Sequence, residues 1–433
     1  MITFLGIAMV VVFTYSIMAK KLSPVTALVI VPVIFAVIGG FGLELGEMML
    51  NGLKEVAPSA ALLLFAILFF GILIDAGLFD PLISKMMKLV KGDPVKIAIG
   101  TAIIAMTVAL DGDGTTTHMI TISAMLPLYL RIGMNPLVLA TISLLSISVM
   151  SGMTPWGGPA TRAIASLGLD ANEFFLPLLP TVFSGMVCIL FVAYILGKME
   201  RAKIGAIEIE FSPHSLALNE VAYTLQDGIK RPKLRWLNLI LTITVMVVLV
   251  MGLMPVPILF MLGFVIAAIM NYPDLEQQKE RILYHAGNAL TVVILVFAAG
   301  IFSGIFSGTK MVDAISNLLV SVIPESVGSY FPVAVALTSM PITFVLSNDA
   351  YYFGVLPILA QAGAAYGVSP LEIARASVLG QPVHFLSPLV ASTLLLVGMV
   401  KTDIGELQRY AFKWTLLCSL VMIVIAIVTG AII

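Results

Sequence analysis

Three aspartates, Asp111, Asp113 and Asp349, sit deep in apolar stretches of the sequence. A carboxylate in such a place costs on the order of 2.5–3.5 kcal/mol unless it is paired, coordinated or protonated. The run Asp111-Gly-Asp-Gly-Thr-Thr-Thr117 puts two of them side by side. Glycines on both sides of Asp113 allow a tight tip and close backbone approach. The hydroxyls of Thr115, Thr116 and Thr117 either cap free amides or bind a ligand. Capping alone explains a single aspartate, but two closely spaced ones exceed that need. Ser347-Asn348-Asp349 adds hydroxyl, amide and carboxylate oxygens, and it too has a capping reading. Oxygen-rich groups of this kind suit a hard divalent cation or a proton relay.

Two further stretches are punctuated by proline and glycine, Ser151-Gly-Met-Thr-Pro-Trp-Gly-Gly-Pro159 and Gly380-Gln-Pro-Val-His-Phe-Leu-Ser-Pro388. Such residues interrupt a helix and free backbone groups on both sides. In the first, Thr154 and the amides of Gly157 and Gly158 are candidate ligand contacts, with Trp156 as packing or lid. In the second, His384 and Ser387 are candidates. His384 and His118 read equally as structural hydrogen-bonders or proton carriers. Arg162 and Arg375 either attract an anion, pair with an acid or snorkel outward. Asp75, near a helix end, reads as structural. Cys188 and Cys418 lie in apolar runs and read as packing residues.

The candidate substrate-binding set is therefore Thr115, Thr116, Thr154, Gly157, Gly158, Ser347, Asn348, His384 and Ser387. The candidate metal or proton-coupling set is Asp111, Asp113 and Asp349. No catalytic constellation is found. There is no G-x-x-x-x-G-K-[ST] phosphate loop and no H-E-x-x-H helix. Asp111-Gly-Asp113 has no partner aspartate motif of the membrane-protease kind. A channel is the remaining non-carrier reading, and paired interrupted hairpins argue against it.

These residues need a frame that holds them in an apolar medium. Of 433 residues, 60% are hydrophobic and 11% charged, with mean hydropathy +1.09. A soluble domain carries about 25% charged residues, so the chain is read as an all-α polytopic membrane protein. The net charge of −1 gives no hint of a nucleic-acid partner. Spans are expected at 2–19, 22–40, 57–78, 174–197, 236–254, 256–271, 287–307 and 409–432. The first ends in Lys20-Lys21 without a small-residue cleavage site and reads as a span rather than a leader. Residues 95–131 form two arms around the first tip, each roughly 24 Å long as a helix against a ~30 Å apolar core. They read as a re-entrant hairpin, and 331–366 repeats the design. Broken spans follow at 136–170 and 371–400.

With both termini outside, 19 of the 23 basic residues fall on the cytoplasmic side. Lys54 and Lys310 are placed in outside loops, and Lys279 and Arg281 in an inside one. The loop 198–235 divides the chain into a first repeat, 1–197, and a second, 236–433. Scaffold spans are expected at 1–78 and 236–307, and final spans at 174–197 and 409–432. Each half crosses an odd number of times, so the second is inverted. Gly71 to Asp80 resembles Gly304 to Asp313, and Cys188 and Cys418 fall at matching places. Inverted repeats with discontinuous helices are the signature of secondary transporters, with the site at the breaks.

Lys91-Gly-Asp-Pro-Val-Lys-Ile, Ala109-Leu-Asp-Gly-Asp-Gly-Thr-Thr-Thr117 and Ile120-Thr-Ile-Ser-Ala-Met-Leu-Pro-Leu-Tyr129, with Gly71 to Lys85 upstream, carry a resemblance. Over essentially the whole chain, the sequence resembles the citrate–divalent metal/proton symporter (CitMHS) family of the ion transporter superfamily. His118 is not recognised as part of that pattern. The resemblance implies a scaffold, a mobile transport domain with two hairpins, elevator motion and a homodimer in the inner membrane lipid. It implies a cargo of citrate complexed with Mg²⁺, Ca²⁺ or a similar ion, taken in with protons and without a resident cofactor. A cation/proton antiporter, or a carrier of other di- and tricarboxylates, is the alternative on the same scaffold. A free tricarboxylate would be repelled by three aspartates, whereas a metal complex presents a cation to them.

Overall fold

The computed structural model describes residues 1–90, 92–204, 229–322, 328 and 330–433. Most of the expected linker, 205–228, lies outside the described residues. Helices begin where a side-chain oxygen precedes a good first-turn residue. Ser23, Asp93, Asn135 and Ser369 each accept a backbone N–H two or three residues on, and each is followed by proline. The oxygen satisfies an orphan donor, and proline at the first position loses nothing. Ser369 and Glu372 form a full capping box.

The first run is α1 (Ile2–Met18), α2 (Pro24–Ile38), α3 (Leu45–Asp75), amphipathic α4 (Asp80–Val90), α5 (Pro94–Val108), α6 (Gly114–Ile132), α7 (Pro136–Met153), α8 (Gly158–Leu167), short α9 (Ala171–Phe175) and α10 (Leu179–Ile204). The second is α11 (Arg235–Val250), α12 (Val256–Asn271), α13 (Leu275–Gly308), α14 (Met311–Val322), α15 (Phe331–Val345), a π-helical turn (Ala350–Val355) continuing into α16 (Leu356–Ala364), α17 (Pro370–Val378), one-turn α18 (Gln381–His384), α19 (Ala391–Val400) and α20 (Ile404–Val428). The described residues contain no strand, and the expected all-α class is observed. Among the described residues, seven stretches are long and apolar enough to cross a membrane.

Two expectations are corrected. Spans 57–78 and 287–307 each begin about three turns earlier, at Leu45 and Leu275. The added turns are polar on their outer face, so hydropathy alone starts the span too late. Lys54, Lys279 and Arg281 consequently lie on helices rather than in loops. The final span of the first half also runs on as helix, to Ile204 rather than 197.

The long helices α3 and α13 pack against each other, with α2 beside α13 and α12 beside α3. Their crossing is set by glycine. A Cβ on Gly52 would lie 1.9 Å from the Gly300 carbonyl oxygen, and one on Gly304 would lie 2.2 Å from that of Met48. At one end of this crossing Asp75 accepts from His285 Nε2 at 2.8 Å and lies 3.7 Å from Arg281 Nη1, which makes it structural as expected. The second body gathers α5 to α10 with α15 to α20. Of the most apolar 18 residues within Pro136–Leu167, 94% are buried, against 17% of those within Pro232–Val250. The first broken span is thus the centre of the molecule, and α11 is an outer, lipid-suited helix. Cys188 and Cys418 meet as free thiols between α10 and α20.

Gly52→Val should cost at least about 1–3 kcal/mol by overpacking the α3–α13 crossing. Gly287→Ala, which meets nothing within 4 Å in the same helix, should gain a few tenths to about 1 kcal/mol. Thermal unfolding in detergent measures both, and equal midpoints for the two variants would contradict the crossing.

Candidate functional site

Each hairpin interrupts its helix in a place where water is scarce, so the last carbonyls of the first arm need donors. The broken span that follows supplies them. In the first half, Ser151 Oγ donates to Gly112 O at 2.7 Å and Trp156 Nε1 donates to Leu110 O at 2.8 Å. In the second, Ser387 Oγ donates to Phe344 O at 2.6 Å and His384 Nδ1 bonds Thr343 O. His384 and Ser387, expected as cargo contacts, therefore cap the end of α15. Trp156 also packs on Phe70 and Phe260, which ties the break to α3 and α12.

At the first tip, Gly112 turns the chain with φ +81°, a conformation that favours glycine. Asp111 is buried, and its Oδ1 accepts the Asp113 N–H at 2.9 Å. Asp113 caps α6. It accepts Thr115 N–H at 3.3 Å, Thr116 N–H at 2.7 Å and Thr116 Oγ1–H at 2.6 Å. The Thr116 hydroxyl is thus spent on Asp113, while Thr115 is exposed. At the second tip, Ser347 Oγ accepts the Ala350 N–H at 3.2 Å and Asn348 Oδ1 accepts Gln381 Nε2 at 3.3 Å. Asp349 makes no cap. Its Oδ1 accepts Arg162 Nε at 2.6 Å, across 187 residues of chain. The π-helical turn that starts beside Asp349 widens the backbone there, a feature common at functional sites.

The Gly157 N–H donates to Thr154 O at 2.8 Å. A Cβ there would lie 1.8 Å from Ser151 O, so only glycine lets the break fold back on α7. Gly158 opens α8, where the first amides have no intrahelical partner. Its carbonyl accepts Arg162 Nη1 at 2.9 Å. Thr154 Oγ1 and Gln381 Oε1 are buried without a hydrogen-bond partner, and Gly152 packs on the Gln381 side chain. The second arm of the first hairpin meets the second broken span where Gly114 approaches Ser392.

Two tips and two breaks are therefore brought together. The three aspartates are not: among the described residues no three His, Cys, Asp or Glu side chains form a group that holds a metal. His118 shares a 2.8 Å bond with Ser143 and its Nε2 has no partner. Arg375 is consumed by the backbone, donating to the carbonyls of Phe174, Glu173 and Ala431. Ser151, Gln381 and the pairing choice of Arg162 escaped sequence reasoning. Proximity of Ser151 to the first proline of the break was the available signal.

Residues 2–380 match the family model described as citrate transporter, CitMHS. The chain belongs to the CitMHS citrate transporter family. Over the full chain it is 61% identical to the uncharacterized transporter YraO, 54% to a citrate transporter and 51% to the Mg(2+)/citrate complex secondary transporter, all of Bacillus subtilis and each covered over 99–100% of its length. This family and these relatives are transporters, not enzymes. Among solved structures, the Alcanivorax borkumensis YdaH transporter aligns with TM-score 0.53 at 14% identity, covering 90% of this chain and 89% of that one. Neisseria gonorrhoeae MtrF aligns with TM-score 0.59 at 12% identity, covering 90% and 84%. Both likenesses concern the fold alone.

Ser151→Ala and Ser387→Ala each remove a donor and leave a helix-end carbonyl unsatisfied, at a cost of about 1–3 kcal/mol. Hydrogen exchange should rise at residues 109–117 in the first and at 343–350 in the second, with the other tip unchanged. Uniform exchange across both tips would contradict the pairing of each break with its own hairpin.

Proposed function

We propose that this protein imports citrate complexed with a divalent metal ion, in symport with protons. The observation that carries the reading is the meeting of two hairpin tips and two helix breaks, each tip carrying acid side chains and helix N-termini beside them. Such an arrangement offers partial positive charge and free amides to carboxylates, and carboxylate and hydroxyl oxygens to a cation. A relative of half-identical sequence is described as a Mg(2+)/citrate complex secondary transporter, which supports this choice of cargo. The metal travels as cargo.

Helices starting at Ile2, Pro24, Leu45, Asp80, Pro94, Gly114, Pro136 and Gly158 are followed in the same order by those at Arg235, Val256, Leu275, Met311, Phe331, Ala350, Pro370 and Ala391. This order, and the meeting of Cys188 with Cys418 as at a pseudo-twofold axis, support two inverted repeats, 1–197 and 236–433. On that reading α1 to α3 and α11 to α13 are the scaffold of a homodimer. The hairpins, broken spans and final spans form an element that moves as an elevator, with both termini external to the inner membrane. Asp111 and Asp113 face the metal end of the cargo, while Thr115, Thr154 and the Gly158 amide border its carboxylates. Ser347 and Asn348 shape the second tip.

Asp113→Asn keeps a good N-cap but removes one charge. In proteoliposomes, radiolabelled citrate uptake by wild type should require Mg²⁺, Ca²⁺ or a similar ion and should rise with an inward proton gradient. The Asn variant should lose at least about tenfold in uptake at limiting metal, an effect of the size expected for a charge-assisted contact. Unchanged metal dependence in the variant would remove Asp113 from the site. Proton–cation exchange without citrate in wild type would favour an antiporter instead.

A further inference from the structure

Arg162 is the only lysine or arginine in the two tips and two breaks, residues 109–118, 151–162, 345–352 and 380–392. Its side chain is 20% exposed and that of Asp349 is 15% exposed. Both are therefore reachable, yet neither is solvated well enough to stand alone as an ion. Only Nε contacts the carboxylate, at 2.6 Å, and Nη1 is held by Gly158 O at 2.9 Å. The bidentate fork that makes guanidinium–carboxylate pairs strong is not closed. The pair is also the ion pair that links the first half of the chain to the second hairpin tip, so its state reports on whether that tip is seated.

We propose that Arg162 is shared between two anions: Asp349 when the site is empty, and a free carboxylate of the metal–citrate cargo when it is loaded. Asp349, stripped of its counter-ion at a largely buried tip, then takes a proton from the aqueous side. One O–H bond forms on Asp349 as the bond to that proton breaks on hydronium or a buffer acid in the aqueous phase, and the guanidinium keeps its charge. Magnesium citrate brings one net negative charge and the proton cancels it, so the loaded element crosses with the charge of the empty one. Release reverses both steps.

The surroundings leave few competitors for that proton. Helix α8 carries no ionisable side chain besides Arg162. Residues 286–308 of α13, and the whole of α15 and α16, carry none. Helix α1 offers only the exposed Tyr15. Tyr352 gives its hydroxyl to Ser377 O and accepts from Gln381. His384 is committed to Thr343 O. Helix α17, which also packs on α8, α15 and α16, carries Glu372, bonded to the Ser369 N–H, and Arg375, held by backbone carbonyls.

This rests on metal–citrate being the cargo, and the test separates the two. Binding of magnesium citrate to the purified full-length protein is followed by calorimetry at neutral pH in two buffers of different ionisation heat. Wild type should take up close to one proton per complex bound. Asp349→Asn should bind several-fold more tightly, because the competitor for Arg162 is gone, and should take up none. Arg162→Gln should bind at least about tenfold more weakly. The double variant leaves no unpaired charge to destabilise the fold, and it should bind as weakly as Arg162→Gln. Proton uptake persisting in Asp349→Asn overturns the proposal. So does wild-type affinity in the double variant, which would make the pair merely structural. Failure of wild type to bind magnesium citrate would overturn the cargo assignment itself.

Discussion

The arrangement depends on one constraint: an interrupted helix in an apolar medium must find partners for the backbone groups it frees. Among the described residues, the four interruptions at the tips and breaks solve the problem in pairs. The carbonyls left open at the end of α5 and the turn after it are met by Ser151 and Trp156. Those left open at the end of α15 are met by His384 and Ser387. A tip that lost its break would leave bare carbonyls, and a break that lost its tip would leave bare donors. Each hairpin and its broken span are therefore bonded to each other. That bonding lets a site be assembled from irregular backbone.

Charge is distributed by the same logic. Asp80 with Lys230 and Glu200 with Lys203 lie toward helix ends, whereas Asp75 with Arg281 and His285 is buried between α3 and α13. These pairs fasten the ends of α3, α4 and α10. Arg162 and Asp349 are different, because they stand at the junction of interruptions. A pair of this kind contributes little net stability once its desolvation is counted. Its retention in a chain with 11% charged residues is better explained by exchange than by strength.

Much of this was legible in the sequence, for identifiable reasons. Proline preceded by Ser, Asp or Asn marks helix starts locally, so the arms at Pro94 and Pro136 were readable. Glycine and aspartate in an apolar run mark the tips. The early turns of α3 and α13 were missed because Glu47, Lys54, Glu55 and Glu276 to Arg281 lower hydropathy while remaining good helix formers. The backbone and side-chain partners of Thr116, Gly157, His384 and Ser387 were not legible for another reason. A hydroxyl, amide or imidazole near a break satisfies backbone first, and which backbone atom it reaches is decided by tertiary packing. The bond between residues 162 and 349 has no local trace at all.

The two tips also differ in kind, and the difference orients the cargo. The first tip meets the second broken span through an uncharged contact, Gly114 against Ser392. The second meets α8 through a guanidinium and a carboxylate. Parting the first costs only dispersion contacts, whereas parting the second separates charge, which is costly unless another anion replaces Asp349. A neutral solute offers no such replacement, and a bare cation would be repelled by Arg162. An anion whose other end is a metal ion satisfies both tips at once. Its carboxylate takes the guanidinium while its metal turns toward Asp111 and Asp113. On the proposed reading, the selectivity for a metal complex over either component alone then follows from the unlike charge of the two tips.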